Sequence, residues 1–125
     1  MTIIGIGTDI VQMDRIAKIF AKYGQKFVEK NFHSLEIEKL SSLKQIDRLS
    51  YLSKRFAAKE AISKAFGTGI TEGLSFKEIA IINNEKGAPI VIIDRIKFPS
   101  YANYQINISI SDDPPIAVAF AVISL

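Results

Sequence analysis

Cysteine is absent from the 125 residues, so disulfides, thiolate metal sites and thiol nucleophiles are excluded, and the chain suits a reducing compartment. The single histidine, His33, excludes any catalytic or zinc site that needs two imidazoles. No apolar run reaches the roughly 18 residues of a membrane span; even Ile116 to Leu125 falls short. The N-terminal Met1-Thr2-Ile3-Ile4-Gly5-Ile6-Gly7-Thr8-Asp9 lacks the basic start and long apolar core of an export signal. The expected location is therefore the cytoplasm, with no membrane as partner. Charge of one sign is only slightly in excess, 16 Lys and Arg against 13 Asp and Glu, and the net +3 favours acidic partners in general. Four tyrosines and eight phenylalanines are scattered, with no basic run interleaved with aromatics, so nucleic acid is not expected as a partner. Repeats, low-complexity tracts and linkers are missing too.

What is there is an ordinary globular composition, 48% hydrophobic and 23% charged, with apolar residues spread along the chain. The length predicts one domain over residues 1–125. A domain of this size buries roughly two-thirds of the surface its unfolded chain exposes, a thin core that gains from subunit contacts.

Ile4, Ile6 and Thr8 alternate with Gly5, Gly7 and Asp9, which predicts a strand with one apolar face and one face stripped of side chains. Something must pack closely on the stripped face. From Val11 to Tyr23, Met13, Ile16, Ala17 and Phe20 follow helical spacing while Arg15, Lys18 and Lys22 form a basic stripe, and Gly24 is a natural stop. Shorter helices are expected over Gln25 to Lys30 and, capped by Ser34, to about Ser42. The longest helix runs from about Ile46 to Phe66, with Leu49, Leu52, Phe56 and Ile62 buried and Gly67 ending it. Phe76 to Ile82 and Ile90 to Ile93 read as a hairpin joined by Asn83 to Ala88. Tyr104 to Ser111 and Ile116 to Ile123 form a second hairpin about Asp112-Asp113-Pro114-Pro115, central to the sheet. The expected class is α+β: a mainly antiparallel sheet packed against a long central helix and a basic N-terminal helix.

Asp9 stands at the end of the glycine-rich strand, while Glu60 and Lys64 lie one turn apart and continue the helical row begun by Phe56. Glu60 and Lys64 read equally as a surface ion pair, and Asp9 as a helix cap. Two carboxylates from distant segments meeting at one point would instead suit Mg²⁺, which keeps several waters and completes its shell with phosphate oxygens. Displacement at phosphorus is the chemistry such a group does best. Gly5-Ile6-Gly7 is no dinucleotide fingerprint, because Ile10 stands where the third glycine belongs. Gly67-Thr68-Gly69 reads as a helix stop or as amides beside a phosphate. Ser109 and Ser111 read as phosphate ligands or as the wetter face of a strand, and His33 as a surface or partly packed residue.

Together, Gly5-Ile6-Gly7-Thr8-Asp9-Ile10-Val11 and the contiguous Arg55-Phe56-Ala57-Ala58-Lys59-Glu60-Ala61-Ile62-Ser63-Lys64-Ala65-Phe66-Gly67-Thr68-Gly69-Ile70 closely resemble the holo-acyl-carrier-protein synthase family of phosphopantetheinyl transferases. Asn84, Gly87 and Pro89 fit the family's hairpin, and the resemblance runs from Met1 to Leu125. It implies the 4'-phosphopantetheinyl transferase fold and Mg²⁺-dependent transfer of 4'-phosphopantetheine from coenzyme A to a serine of apo acyl carrier protein. Adenosine 3',5'-bisphosphate is released, and the pathway served is fatty-acid biosynthesis. By the same resemblance Asp9 and Glu60 hold the metal and Lys64 contacts the phosphate, all three counting as catalytic. Coenzyme A contacts are expected from Lys64, Gly67, Arg55, Gly87, Pro89, Ser109 and Ser111, with Arg55 and Lys59 either reaching its phosphates or lying in solvent. Arg15, Lys18 and Lys22 are the expected carrier-protein docking stripe. Homotrimers with sites at the subunit interfaces are the family's common state.

The sequence departs from the resemblance at one place. Many family members follow the Ser-x-Ser strand motif with histidine, whereas Asp112 and Asp113 follow Ser109-Ile110-Ser111 here. Asp112 is expected to turn away into the hairpin toward Pro114, the alternative being a ligand for water or a second metal. The competing class is a basic module that binds an acidic protein without catalysis.

Overall fold

The computed structural model describes residues 1–67 and 74–125. Among them, five strands and four α-helices follow one another as β1 (Ile3–Gln12), α1 (Met13–Tyr23), α2 (Gln25–Asn31), α3 (Ser34–Ser42), α4 (Gln45–Ala65), β2 (Ile79–Asn83), β3 (Pro89–Ile93), β4 (Gln105–Asp113) and β5 (Ile116–Ser124). A 3₁₀ turn, Phe76–Glu78, replaces the start of the strand expected from Phe76. The main sheet is antiparallel in the order β1-β5-β4, and β2-β3 form a separate hairpin. Backbone hydrogen bonds between Thr2 and Leu125, in both directions, extend the β1–β5 ladder to the two ends of the chain.

α4 is the hub. It lies along one face of the main sheet and touches α1, α3 and β2 on its other sides, so Tyr51, Leu52, Ser53, Arg55, Ala57, Ala58, Lys59, Ala61, Ile62 and Ala65 are all buried. Leu49 and Phe56 are only partly covered. The stripped face of β1 is what lets α4 settle. A Cβ on Gly5 would stand 1.9 Å from the Ala65 carbonyl oxygen, and one on Gly7 would stand 2.1 Å from that of Ala61. The opposite, apolar face is not core: Ile6 and Ile10 are 61% and 65% exposed. Register places Ile6 beside Val122, Thr8 beside Phe120 and Ile10 beside Val118, so the sheet's outer surface is an apolar patch.

Two clusters of rings fill the ends of the core. Phe27 contacts Phe32 and Phe56, and Phe56 contacts Phe76, while Phe66, Tyr101 and Tyr104 form an edge-to-face triangle. The cap of α3 differs from the expected Ser34. His33 Nδ1 accepts the Leu35 N–H at 3.0 Å, and Glu36 returns a bond to the His33 N–H at 2.9 Å. An imidazole nitrogen here does the work that a hydroxyl or carboxylate usually does.

Candidate active site

Beyond Gly5 and Gly7, Asp9 is the first residue on the α4-facing side of β1 to carry a side chain. It emerges beside the turn of α4 that holds Glu60 and Lys64. The three residues share a cavity of about 260 Å³ with Ile10, Val11, Arg15, Ile16 and Phe56. Lys64 Nζ donates to Asp9 Oδ1 at 2.8 Å, so the lysine is bonded to the strand rather than paired with Glu60 along its own helix. Nor does Asp9 cap a helix, since Gln12 is the N-cap residue of α1 and makes no side-chain bond there.

The electrostatics suit a cation. Burial and then the Asp9 charge push the Glu60 carboxyl above the usual range, against the opposing pull of Lys64 and Arg15. The bond to Asp9 raises the Lys64 ammonium. Two carboxylates that repel each other in a half-buried cavity are a hard-oxygen pair that a divalent cation would satisfy. Among the described residues no third acidic or imidazole ligand joins them, which leaves room in a metal's shell for water and substrate oxygens.

The expected coenzyme A residues fall in separate places. Arg55 is buried, not in solvent; its guanidinium stacks 4.4 Å over the Tyr51 ring and donates to Asn83 Oδ1 at 2.5 Å. Asn83 Nδ2 in turn donates to the Gly87 carbonyl at 3.2 Å, and Pro89 is the register partner of Asn83. Arg55, Gly87 and Pro89 therefore meet at one end of the β2–β3 hairpin. There a second cavity, about 350 Å³, is lined by Lys39, Tyr51, Lys54, Arg55, Ile82 and Asn83. Among the described residues it shares none of its lining with the Asp9 cavity. Gly67 ends α4 with φ +78° and its N–H on the Lys64 carbonyl at 2.9 Å; Thr68 and Gly69 lie outside the described residues. Ser109 and Ser111 pair with Phe120 and Val118, which puts them on the outer face of the sheet, away from Asp9.

On α1, Arg15 reaches the Asp9 cavity, while Lys18 and Lys22 are exposed and Lys22 sits over the Tyr23 ring. Lys26 and Lys30 line a neighbouring hollow with Ile19, Tyr23 and Phe27, a continuation of the basic surface that α1 alone did not disclose.

Two residues depart from expectation. Asp112 neither turns into the hairpin nor joins the Asp9 cavity: it belongs to β4, where Oδ2 accepts the Ser50 hydroxyl at 2.9 Å and Oδ1 faces Lys54 Nζ at 3.7 Å. Lys59 is fully buried and reaches neither solvent nor the Asp9 cavity. Its ammonium bonds to Glu36 Oε1, to the Asn31 carbonyl at 2.9 Å and to the Phe76 carbonyl at 2.8 Å, with the Phe32 ring 5.0 Å away. Glu36 Oε2 accepts the Ile81 N–H at 3.1 Å, so one buried pair ties α3, α4 and β2 together. Only the fold brings Glu36 to a lysine 23 positions away.

With the fold and this geometry in view, comparison with known proteins gives one answer. The family model of the 4'-phosphopantetheinyl transferase superfamily matches residues 5–119, and the chain belongs to that superfamily. A holo-[acyl-carrier-protein] synthase of Orientia tsutsugamushi (strain Boryong) is 42% identical over 127 residues, covering 98% of this chain and 97% of that protein. The crystal structure of the holo-[acyl-carrier-protein] synthase of Neisseria meningitidis is 35% identical. It superposes with a TM-score of 0.88, covering 99% of this chain and 100% of that one. The enzyme of the same name from Bacillus anthracis str. Ames, solved in complex with CoA (3',5'-ADP), is 36% identical with a TM-score of 0.83 over 98% of this chain and 97% of that one.

Proposed function

We propose that this chain transfers 4'-phosphopantetheine from coenzyme A to a serine hydroxyl of an apo acyl carrier protein, in the cytoplasm and for fatty-acid biosynthesis. The observation that carries the proposal is the meeting of Asp9, Glu60 and Lys64 in one cavity of a chain from this superfamily. In the reaction, the serine oxygen bonds to the phosphorus that bears pantetheine. The bond from that phosphorus to the nucleotide's phosphate oxygen breaks, and adenosine 3',5'-bisphosphate leaves as the serine loses its proton.

Asp9 and Glu60 would hold Mg²⁺, which when bound neutralises charge on the phosphoryl oxygens. Lys64, now on Asp9, is free to turn to the phosphate, because its side chain is 56% exposed against 14% for Asp9. The cavity around Arg55, with Lys39 and Lys54, supplies cations for the nucleotide end of coenzyme A, and Gly87 and Pro89 lie next to its lining residue Asn83. Arg15, Lys18 and Lys22 steer the acidic carrier, with Arg15 closest to the chemistry.

The reading includes a homotrimer with sites between subunits. Two features support it: the apolar outer face carrying Ile4, Ile6, Ile10, Val118 and Phe120, and the separation, on one chain, of the Asp9 cavity from the Arg55 cavity and from Ser109 and Ser111. A second copy laid on the sheet's outer face is what could bring these groups together.

Intact-mass spectrometry tests the activity directly. An apo acyl carrier protein incubated with the protein, coenzyme A and Mg²⁺ should gain about 340 Da, the mass of the transferred arm, and a chelator should abolish the gain. No gain from folded protein with a cognate carrier would leave the competing reading, a basic module that binds the carrier without modifying it.

A further inference from the structure

Among the described residues that line it, the second cavity has three cations and no acid. Arg55 is already engaged by the Tyr51 ring and by Asn83. Lys54 is not: its ion-pair partner is Asp112, at 3.7 Å, a separation too long for a hydrogen bond. Asp112 is held from the other side. Its Oδ2 takes the Ser50 hydroxyl at 2.9 Å, one turn before Lys54 on α4, and its place on the α4-facing side of β4 keeps it there. The result is a carboxylate bonded to Ser50, outside the lining of the cationic cavity but facing one of its lysines across 3.7 Å.

We propose that Asp112 is an internal counter-ion that sets how tightly this cavity takes the phosphorylated end of its ligand, by competing with a phosphate group for Lys54. The inference rests on reading the cavity as the nucleotide subsite of coenzyme A. An entering phosphate carries more charge than one carboxylate and three oxygens to accept from the ammonium. It displaces Lys54 from Asp112 and loses part of its gain to that displacement. Asp112 thus acts through Lys54 to set affinity, weakening retention of any phosphate there. The substitution of an acid for the histidine of many relatives then has a physical meaning: the charge facing Lys54 is negative, and the subsite is detuned rather than abolished.

Asp112→Asn keeps the acceptor for Ser50 and the side-chain volume while removing the charge. Calorimetric titration of the intact protein with adenosine 3',5'-bisphosphate should show about threefold tighter binding in Asp112→Asn, the scale of a partly exposed ion pair. The gain should fade as ionic strength rises from about 0.05 to 0.5 M. Lys54→Met should weaken binding, and adding Asp112→Asn to Lys54→Met should then change nothing, because the two act through one contact. Unchanged or weaker binding in Asp112→Asn, with Lys54→Met still weakening it, overturns the counter-ion role alone. Binding untouched by both Lys54→Met and Arg55→Met would show that the nucleotide sits elsewhere, overturning the subsite reading and this inference with it.

Discussion

Glu60 is a carboxyl whose surroundings oppose its charge, through burial and through the nearby Asp9. Such a group is stabilised most by what neutralises it. Glu60→Gln removes one ligand of the expected metal without changing volume, and transfer activity should fall at least about a hundredfold while the circular dichroism spectrum stays that of the parent. Retained activity would remove Glu60 from the metal. Lys59, its immediate neighbour, lives in a different world, since successive helical residues point about 100° apart. Burial lowers its ammonium to about 8 despite the attraction of Glu36. Removing one member of a buried pair leaves the other uncompensated, so Lys59→Met should cost about 3–5 kcal/mol in urea denaturation, and Glu36→Leu added to it should restore much of that.

The sign of the pH dependence follows from the same lowering. Between about 8 and the 10.5 of a free lysine, the unfolded chain keeps a proton that the folded chain has lost. The stability of the parent should therefore rise relative to Lys59→Met across that window. A falling difference would contradict the lowered value. None of this was legible beforehand. Lys59 reads from the sequence as reaching a phosphate or lying in solvent, and Glu36 is far off in the chain. Asp9, Glu60 and Lys64 were legible as candidates, yet their pairing was not: helical spacing offers Glu60 to Lys64, whereas the fold gives Lys64 to Asp9.

At the scale of elements, the alternation of β1 was readable because glycine leaves only one explanation, close approach. The partner was not readable, because any smooth helix would have served; Ala61 and Ala65 supply it. Gly7→Ala would drive a methyl group to 2.1 Å from the Ala61 carbonyl oxygen. It should cost roughly 1–3 kcal/mol or more, and weaken metal-dependent activity by shifting Asp9 two residues on. Gly67→Ala is the control. Nothing described lies within 4 Å of its would-be Cβ, so the cost is the positive φ alone, about 1 kcal/mol. Thermal melts of the two variants check the difference, and equal losses would mean that α4 can yield. The 3₁₀ turn at Phe76–Glu78 escaped prediction because Lys59 of α4 holds the Phe76 carbonyl from outside the segment, and the cap of α3 because an imidazole nitrogen is an uncommon cap acceptor beside a serine that could serve.

For the whole molecule, the two hairpins followed from pattern, but the sheet order and the outer face did not: β4 of the second hairpin is an edge strand, and β2-β3 stand apart from the main sheet. Alternation marks two faces of a strand without saying which one is covered, and the bulky isoleucines are on the open one. Phe120→Glu places a charge in the middle of that patch; sedimentation velocity should show dissociation to monomers, with activity lost in parallel. A parent already monomeric at micromolar concentration would sink the trimer. The basic surface of α1 makes a separate claim. Lys18→Glu with Lys22→Glu should raise the KM for the carrier about three- to tenfold at low salt, with coenzyme A binding unchanged. An unaltered KM would place the docking surface elsewhere.

The chain's first strand also imposes an order on its manufacture. Among the described residues β1 pairs with β5 alone, although more than a hundred residues separate them along the chain. A nascent polypeptide leaving the ribosome must therefore carry β1, with its isoleucines, unpaired until residues 116–124 have been made. Until then the glycine face has α4 to lean on but no ladder beside it. Closing so wide a loop late is slow and exposes an open edge meanwhile, so the growing chain has a long interval in which its own sheet cannot shelter its beginning.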